Sequence, residues 1–191
     1  MTNKSDSWKD DWRPMIAAIG RDFDDRPPVF VADRIEVSAV RRWLEPLEFD
    51  CALHYDPDVA RMHGYKDIVV PTSALPTFAL EPMWNPGDVL FVSDERDAQP
   101  SKSAVSGIRC ELEPPTTGYF ATDIDIEYLL PVTVGDRLLK RGALLVACEP
   151  KSTKVGCGAF ITWQSELINE RLDVVARTRT TVFRYNPDPQ S

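Results

Sequence analysis

An α+β fold is predicted by a contrast between the two halves of the 191 residues. Up to Trp84 the chain carries helix starts, helix stops and apolar stretches too short to be long strands. From Asp123 onward it carries long runs in which polar and apolar residues alternate, separated by short turn signals. Alternation with period two marks half-buried strands, and grouped strands after grouped helices mark an α+β domain rather than an alternating βα one.

The elements follow in order. A short helix is expected around Met15 to Phe23, ended by Arg26-Pro27-Pro28. RIEV, 34–37, reads as a short strand, and Ser38 as the cap of a helix AVRRWLEPL that Pro46 and FDCA break. Asp56 is a good N-cap, Pro57 suits the first helical position, and Asp58 favours the positive helix start. Gly64 suits the left-handed position that closes such a helix, so DPDVARMHG is a helix of about two turns. YKDIVVP then runs extended into a second helix from Thr72 or Ser73, carrying TSALPTFALEPMW, with Met83 and Trp84 packed below it. LFVS, 90–93, reads as a strand, and DERDAQPSKSA, 94–104, as an exposed loop and candidate lid. DIDIEY opens the sheet half. VGDR gives a turn, and LLKRGALLVACEP, GAFITWQSELI and LDVVARTRTTVFRY give three long strands, with Asn169-Glu170 near the last turn. The expected organisation is an N-terminal extension, 1–32, one domain, 33–187, and a C-terminal tail, 188–191.

Composition narrows the function classes. Hydrophobic content is 43% and charged content 27%, ordinary for a globular domain. No apolar run approaches the ~20 residues that span a bilayer, and the first residues lack the apolar core of a signal peptide. A cytoplasmic protein without membrane attachment is the expectation. A net charge of -8 argues against a nucleic-acid surface. Cys51, Cys110, Cys148 and Cys157 show no CxxC spacing, so neither a zinc site nor a dithiol motif is suggested.

Both histidines, His54 and His63, lie in FDCALHYDPDVARMHGYKDIVVP, 49–71. They stand at opposite ends of one short helix and do not form a metal site. His63 reads as a cation at a helix end, and Asp56 as a cap. From His54 the spacing is H-x-D-x-x-x-A-x-x-x-G-Y-x-x-I-V-x-P, filled by His54, Asp56, Ala60, Gly64, Tyr65, Ile68, Val69 and Pro71. This pattern resembles the MaoC-like, R-specific enoyl-CoA hydratases, and the N-terminal domains of fatty-synthase-type dehydratases more closely still. The resemblance implies a single hotdog, an antiparallel sheet wrapped round a central helix. It also implies a hydro-lyase that adds water to a 2-enoyl thioester or removes it from a 3-hydroxyacyl thioester. It places His54 and a carboxylate on the water. It places backbone N–H groups at the start of the central helix, here Thr72 and Ser73, on the thioester oxygen, with Tyr65 at the pocket.

This chain departs from the family pattern at three places. Phe49 stands where the family has its catalytic Asp, with Asp50 one residue later as the candidate replacement. Cys51 and Ala52 replace Asn-Pro, and Thr72 replaces the Gly that opens the central helix. The resemblance implies an acyl-CoA substrate, no cofactor beyond the coenzyme A of that substrate, and pairing with a second hotdog as a homodimer or with another MaoC-like chain. Two alternatives accompany the hydratase reading. One is a catalytically reduced subunit that completes a partner's pocket. The other is a thioesterase, for which the central helix offers only Glu81 near its far end.

Overall fold

The computed structural model describes residues 7–103 and 107–187. The expected tail, 188–191, and Ala104 of the expected lid lie outside the described residues. A four-stranded antiparallel sheet dominates: β1 (Gly118–Tyr128), β2 (Leu138–Thr153), β3 (Gly156–Asn169) and β4 (Val174–Asn186), in the order β1-β4-β3-β2. β2, β3 and β4 form a meander, and β1 is added outside β4. The first turn needs Gly156 at φ 139°, where a Cβ would run into the Asn186 carbonyl. In the second, the Asn169 side chain accepts the N–H groups of Arg171 and Asp173 at 2.9 and 3.0 Å.

One face of the sheet is covered in two portions. At one end, Ile35, Val40, Leu44, Val70 and Leu75 pack on Leu138, Leu167 and Ala176. At the other, Trp12 and Met15 pack on Leu145, Ile161, Trp163 and Val182. The buried Ser165 and Thr178 hydroxyls, 2.8 Å apart, add a polar contact within the β3–β4 pair.

The covering helices are shorter than the sequence suggests. A 3-10 turn, Ser7–Trp12, leads into α1 (Arg13–Ala17), which ends well before Phe23. The residues after it pair with β2 instead. Gly20 N–H donates to Leu145 O at 2.8 Å, Leu145 N–H to Arg21 O at 3.0 Å, and Phe23 N–H to Ala143 O at 3.0 Å. RIEV is not a strand. Among the described residues Ile35 exchanges backbone bonds only with Gly135 and Asp136, and Glu36 is already the N-cap of α2 (Val37–Leu44). Ser38 therefore lies inside the helix, its hydroxyl turned back to Glu36 Oε2 at 3.3 Å.

α3 (Pro57–Met62) forms as its punctuation predicts. Asp56 Oδ1 accepts from Asp58 N–H at 2.8 Å, and Gly64 turns the chain at φ 85°. The central helix does not run to Trp84. A 3-10 turn, Thr72–Ala74, precedes α4 (Leu75–Phe78), which stops at Ala79. Pro76 has no N–H and crowds the carbonyl four residues back, so it is accommodated only in a first helical turn. Pro82 disfavours helical geometry at Glu81. Met83 and Trp84 are consequently exposed beyond the helix rather than packed beneath it. LFVS is likewise loop, not strand. The described part of the expected lid is mostly exposed and is tied back by Ser101 N–H to Leu90 O and by a Lys102–Asp88 ion pair at 3.1 Å.

Candidate functional site

His54 closes a 3-10 turn, Ala52–His54, directly ahead of α3. Two bonds stitch this turn to the extended segment before α4. Val69 N–H donates to Leu53 O at 2.9 Å, and His54 Nδ1 lies 2.6 Å from Val69 O. A carbonyl oxygen only accepts, so Nδ1 carries a proton, and the neutral tautomer this bond selects is the one with its lone pair on Nε2. The imidazole is half-buried, and no carboxylate forms an ion pair or hydrogen bond with it among the described residues. The polar group that orients the imidazole is therefore a backbone carbonyl and not a carboxylate.

The ring of Phe49 stands against that imidazole, with centroids 5.6 Å apart and planes inclined at 45°. The Tyr55 hydroxyl holds the loop in this register by donating to Phe49 O at 2.7 Å. Glu48, just upstream, turns the chain in the left-handed region at φ 49°. Asp50 is exposed and has no hydrogen bond or ion pair among the described residues. The structure thus brings position 49 to the histidine and leaves position 50 in solvent. His54 and Asp50 are not assembled into a dyad in the isolated chain.

Thr72 and Ser73 are exposed at the start of the turn that leads into α4. Ala74 N–H is the first to be paired there, with Pro71 O at 2.9 Å. The N–H groups ahead of it belong to the unpaired donors of a helix start. Ser73 Oγ accepts from Trp43 Nε1 at 3.4 Å, which ties the turn to α2. Tyr65 is half-buried just past Gly64, its N–H closing α3 onto Ala60 O at 3.1 Å. Asp56 is engaged as a cap, and His63 is exposed as the C-cap of α3.

A cavity of about 630 Å³ opens at the other end of α4. Ala79, Glu81 and Met83 form one wall, Phe23 and Arg26 a second, Leu139 and Lys140 of β2 a third. Lys102 and Arg109 stand at its rim, and His54 is not among its lining residues. Glu81, the carboxylate a thioesterase would need near the helix, lies in this cavity and not on α4 itself. Arg26, Arg109 and Lys140 carry no local motif. Arg26 reaches Lys140 because the Gly20–Phe23 segment lies along β2, which polar RDFDD gives no pattern to foretell.

Residues 17–178 match the family model described as FAS1-like, dehydratase domain region. The chain belongs to this family. FAS1-like dehydratase regions are MaoC-like, and the fold is a single α+β hotdog. A probable enoyl-CoA hydratase alpha subunit of Thermomonospora curvata is 24% identical over 155 residues, 81% of this chain and 46% of the relative. The chain therefore spans about half the length of that curated relative. Among solved structures, the ChsH1-ChsH2 complex from Mycobacterium tuberculosis aligns at TM-score 0.64 and 18% identity, covering 97% of this chain and 99% of that one. A MaoC-like dehydratase from Rhodospirillum rubrum aligns at 0.56 and 21%, covering 90% and 94%. No helix among the described residues is long and apolar enough to cross a membrane.

Proposed function

We propose that this chain is one subunit of an enoyl-CoA hydratase or 3-hydroxyacyl-CoA dehydratase, adding or removing water at the C2–C3 bond of an acyl-CoA. In this reading it binds the thioester and shapes the pocket, while a second MaoC-like chain supplies a complete His and Asp pair. The observation that carries it is Phe49 on the His54 imidazole, where a carboxylate would have to stand. An aromatic ring there has no lone pair with which to take a proton or to accept a hydrogen bond from the imidazole N–H as a carboxylate does. Two findings support a two-chain assembly: the curated relative is an alpha subunit, and the similar ChsH1-ChsH2 structure is a complex. Thr72 and Ser73 N–H groups receive the thioester oxygen, as donors fixed before the reaction do at an oxyanion site. Tyr65 lines the pocket.

A second reading rests on the His54 tautomer. With Nδ1–H on Val69 O, the neutral imidazole can take a proton from water at Nε2 as the oxygen adds to C3 and the π electrons pass into the thioester enolate, then return that proton to C2 as the enolate collapses, which would make the chain a hydratase by itself. The thioesterase reading has no comparable support, since α4 carries no carboxylate.

Loss of enoyl-thioester absorbance with crotonyl-CoA and a longer enoyl-CoA separates the two. The isolated wild-type chain is expected to bind both and hydrate neither. Phe49→Asp restores a carboxylate beside His54 and is expected to bring hydration to about 100-fold above the uncatalysed rate. Turnover by the wild-type chain alone, abolished in His54→Ala, would establish the second reading in place of the first.

A further inference from the structure

The charge of the cavity beyond α4 runs against that of the chain. In a protein of net charge -8, the described lining carries the cations Arg26, Lys102, Arg109 and Lys140 against the carboxylates Asp24 and Glu81. Some of these are answered within the structure. Arg26 Nε donates to Asp24 Oδ1 at 2.8 Å, and Glu81 adds its field to the same guanidinium. Lys102 is paired with Asp88 at 3.1 Å. Arg109 and Lys140 are not answered: neither side chain makes a hydrogen bond or ion pair among the described residues. Glu113, which feels Arg109, is already held by the buried Arg184 at 2.9 Å. Lys140 is exposed, yet the protein about it removes enough water to lower its ammonium pKa. Two unmatched cations in one cavity of about 630 Å³, a volume that suits a small molecule, make a site for an anion.

An uncovered face of α4 leads to this cavity. Ala74, Leu75 and Ala79 are buried in the core, while Thr72, Ser73 and Thr77 are exposed and Leu80 is half-buried. Ser73, Thr77 and Leu80 are spaced so that they stack on one side of the helical turns. Leu80 N–H still closes a turn on Thr77 O at 3.2 Å, which keeps it on that side. The stripe starts at the N–H groups of Thr72 and Ser73 and ends at Leu80, which lines the cavity. Its length is about 10 Å. A thioester at the first end extends its acyl chain toward the second, where Leu80, Met83 and Leu139 offer the last carbons an apolar wall. Lys140 and Arg109 then meet whatever that chain carries at its tip.

We propose that the cavity holds an anionic tip of the acyl group, so that the substrate is a thioester of a dicarboxylic acid, with Lys140 and Arg109 as the residues that select the second carboxylate. The acyl-CoA part of this statement rests on the hydratase reading above; the two cations and their cavity stand without it. A hydrocarbon tip would displace water from both cations and give them no counter-charge in return. A carboxylate supplies that counter-charge and accepts charge-assisted hydrogen bonds from both. The phosphates of the coenzyme offer the same charge, and the experiment below separates the two sources.

Calorimetric titration of the chain with suberyl-CoA and octanoyl-CoA, equal in length and unlike only at the tip, tests this without any turnover assay. Suberyl-CoA is expected to bind about tenfold more tightly than octanoyl-CoA, the worth of one charge-assisted hydrogen bond. Lys140→Gln and Arg109→Gln should each erase most of that preference and leave octanoyl-CoA affinity within about twofold of wild type. Both side chains are exposed, so neither variant removes core packing. A wild-type chain that binds suberyl-CoA no more tightly than octanoyl-CoA overturns the proposal. So does a variant that weakens both thioesters alike, as loss of a cation from the coenzyme phosphates would. Free suberate and octanoate take the coenzyme out of the comparison. Suberate is expected to bind more tightly than octanoate, to be lost in the Lys140→Gln/Arg109→Gln variant, and not to be displaced by 3′,5′-ADP. Should neither thioester bind, the hydratase reading fails, and the free acids still decide the cavity. Suberate that binds no better than octanoate, or that 3′,5′-ADP displaces, overturns the proposal as well.

Discussion

The two edges of this sheet are finished in opposite ways. Along β2 the chain closes the edge itself. Gly20 to Phe23 bond to Ala143 and Leu145, Asp22 Oδ1 accepts Ala143 N–H at 2.8 Å, and Asp24 Oδ2 accepts Gly142 N–H at 3.1 Å. Along β1 no backbone bond among the described residues covers the outer side; Glu127 is paired with Arg177, while Asp123 and Asp125 make no ion pair among the described residues. Acidic residues serve both edges, with contrary results. On β2 they take up backbone donors and complete the domain. On β1, Asp123 and Asp125 take up no backbone donor among the described residues.

That contrast can be broken most forcefully at the closed edge. Trp12 is buried between the N-terminal segment and the sheet, so Trp12→Ala is expected to destabilise the isolated chain by about 3–5 kcal/mol in denaturant titration. Asp22→Ala strands the nearly buried Ala143 N–H and should cost about 1–3 kcal/mol. Asp24 adds a pH dependence. Its side-chain hydrogen bond to Arg26, followed by the backbone N–H of Gly142, holds its carboxyl below the ordinary 3.8. Its contribution is therefore present above that value and lost as pH falls through the lowered one. Titrations between about pH 5 and pH 2 should show a loss of stability that Asp24→Asn reduces. The smallest effect is expected at the open edge. Ile124→Ser should change the stability of the chain alone by no more than about 0.5 kcal/mol. A loss comparable to that of Trp12→Ala would mean that β1 is already covered and that the two edges are alike.

The strands were legible because alternation survives translation into structure: GAFITWQSELI and LDVVARTRTTVFRY lie where their patterns place them. α3 was legible because Asp56, Pro57 and Gly64 act locally. The central helix was overread because an apolar composition says nothing about the missing N–H of Pro76. The segment around Asp22 was read as helix because its true partner, the β2 bulge at Gly142, lies over a hundred residues away and leaves no periodicity in RDFDD. At the site, the motif found His54, and the departure at Phe49 pointed to the position that meets its ring. Val69 O could not be foreseen, since a backbone carbonyl is the same in every sequence.

The closed edge also sets an order of events during synthesis. Trp12 and the Gly20–Phe23 segment leave the ribosome before the residues of β2 exist. At ~5–20 residues per second, they wait on the order of ten seconds for Ala143 and Leu145. Until then Trp12 has no apolar surface to settle on and the Gly20–Phe23 backbone has no strand to pair with. The β2–β3 hairpin is local and can form first, so the beginning of the chain is among the last parts to be put in place.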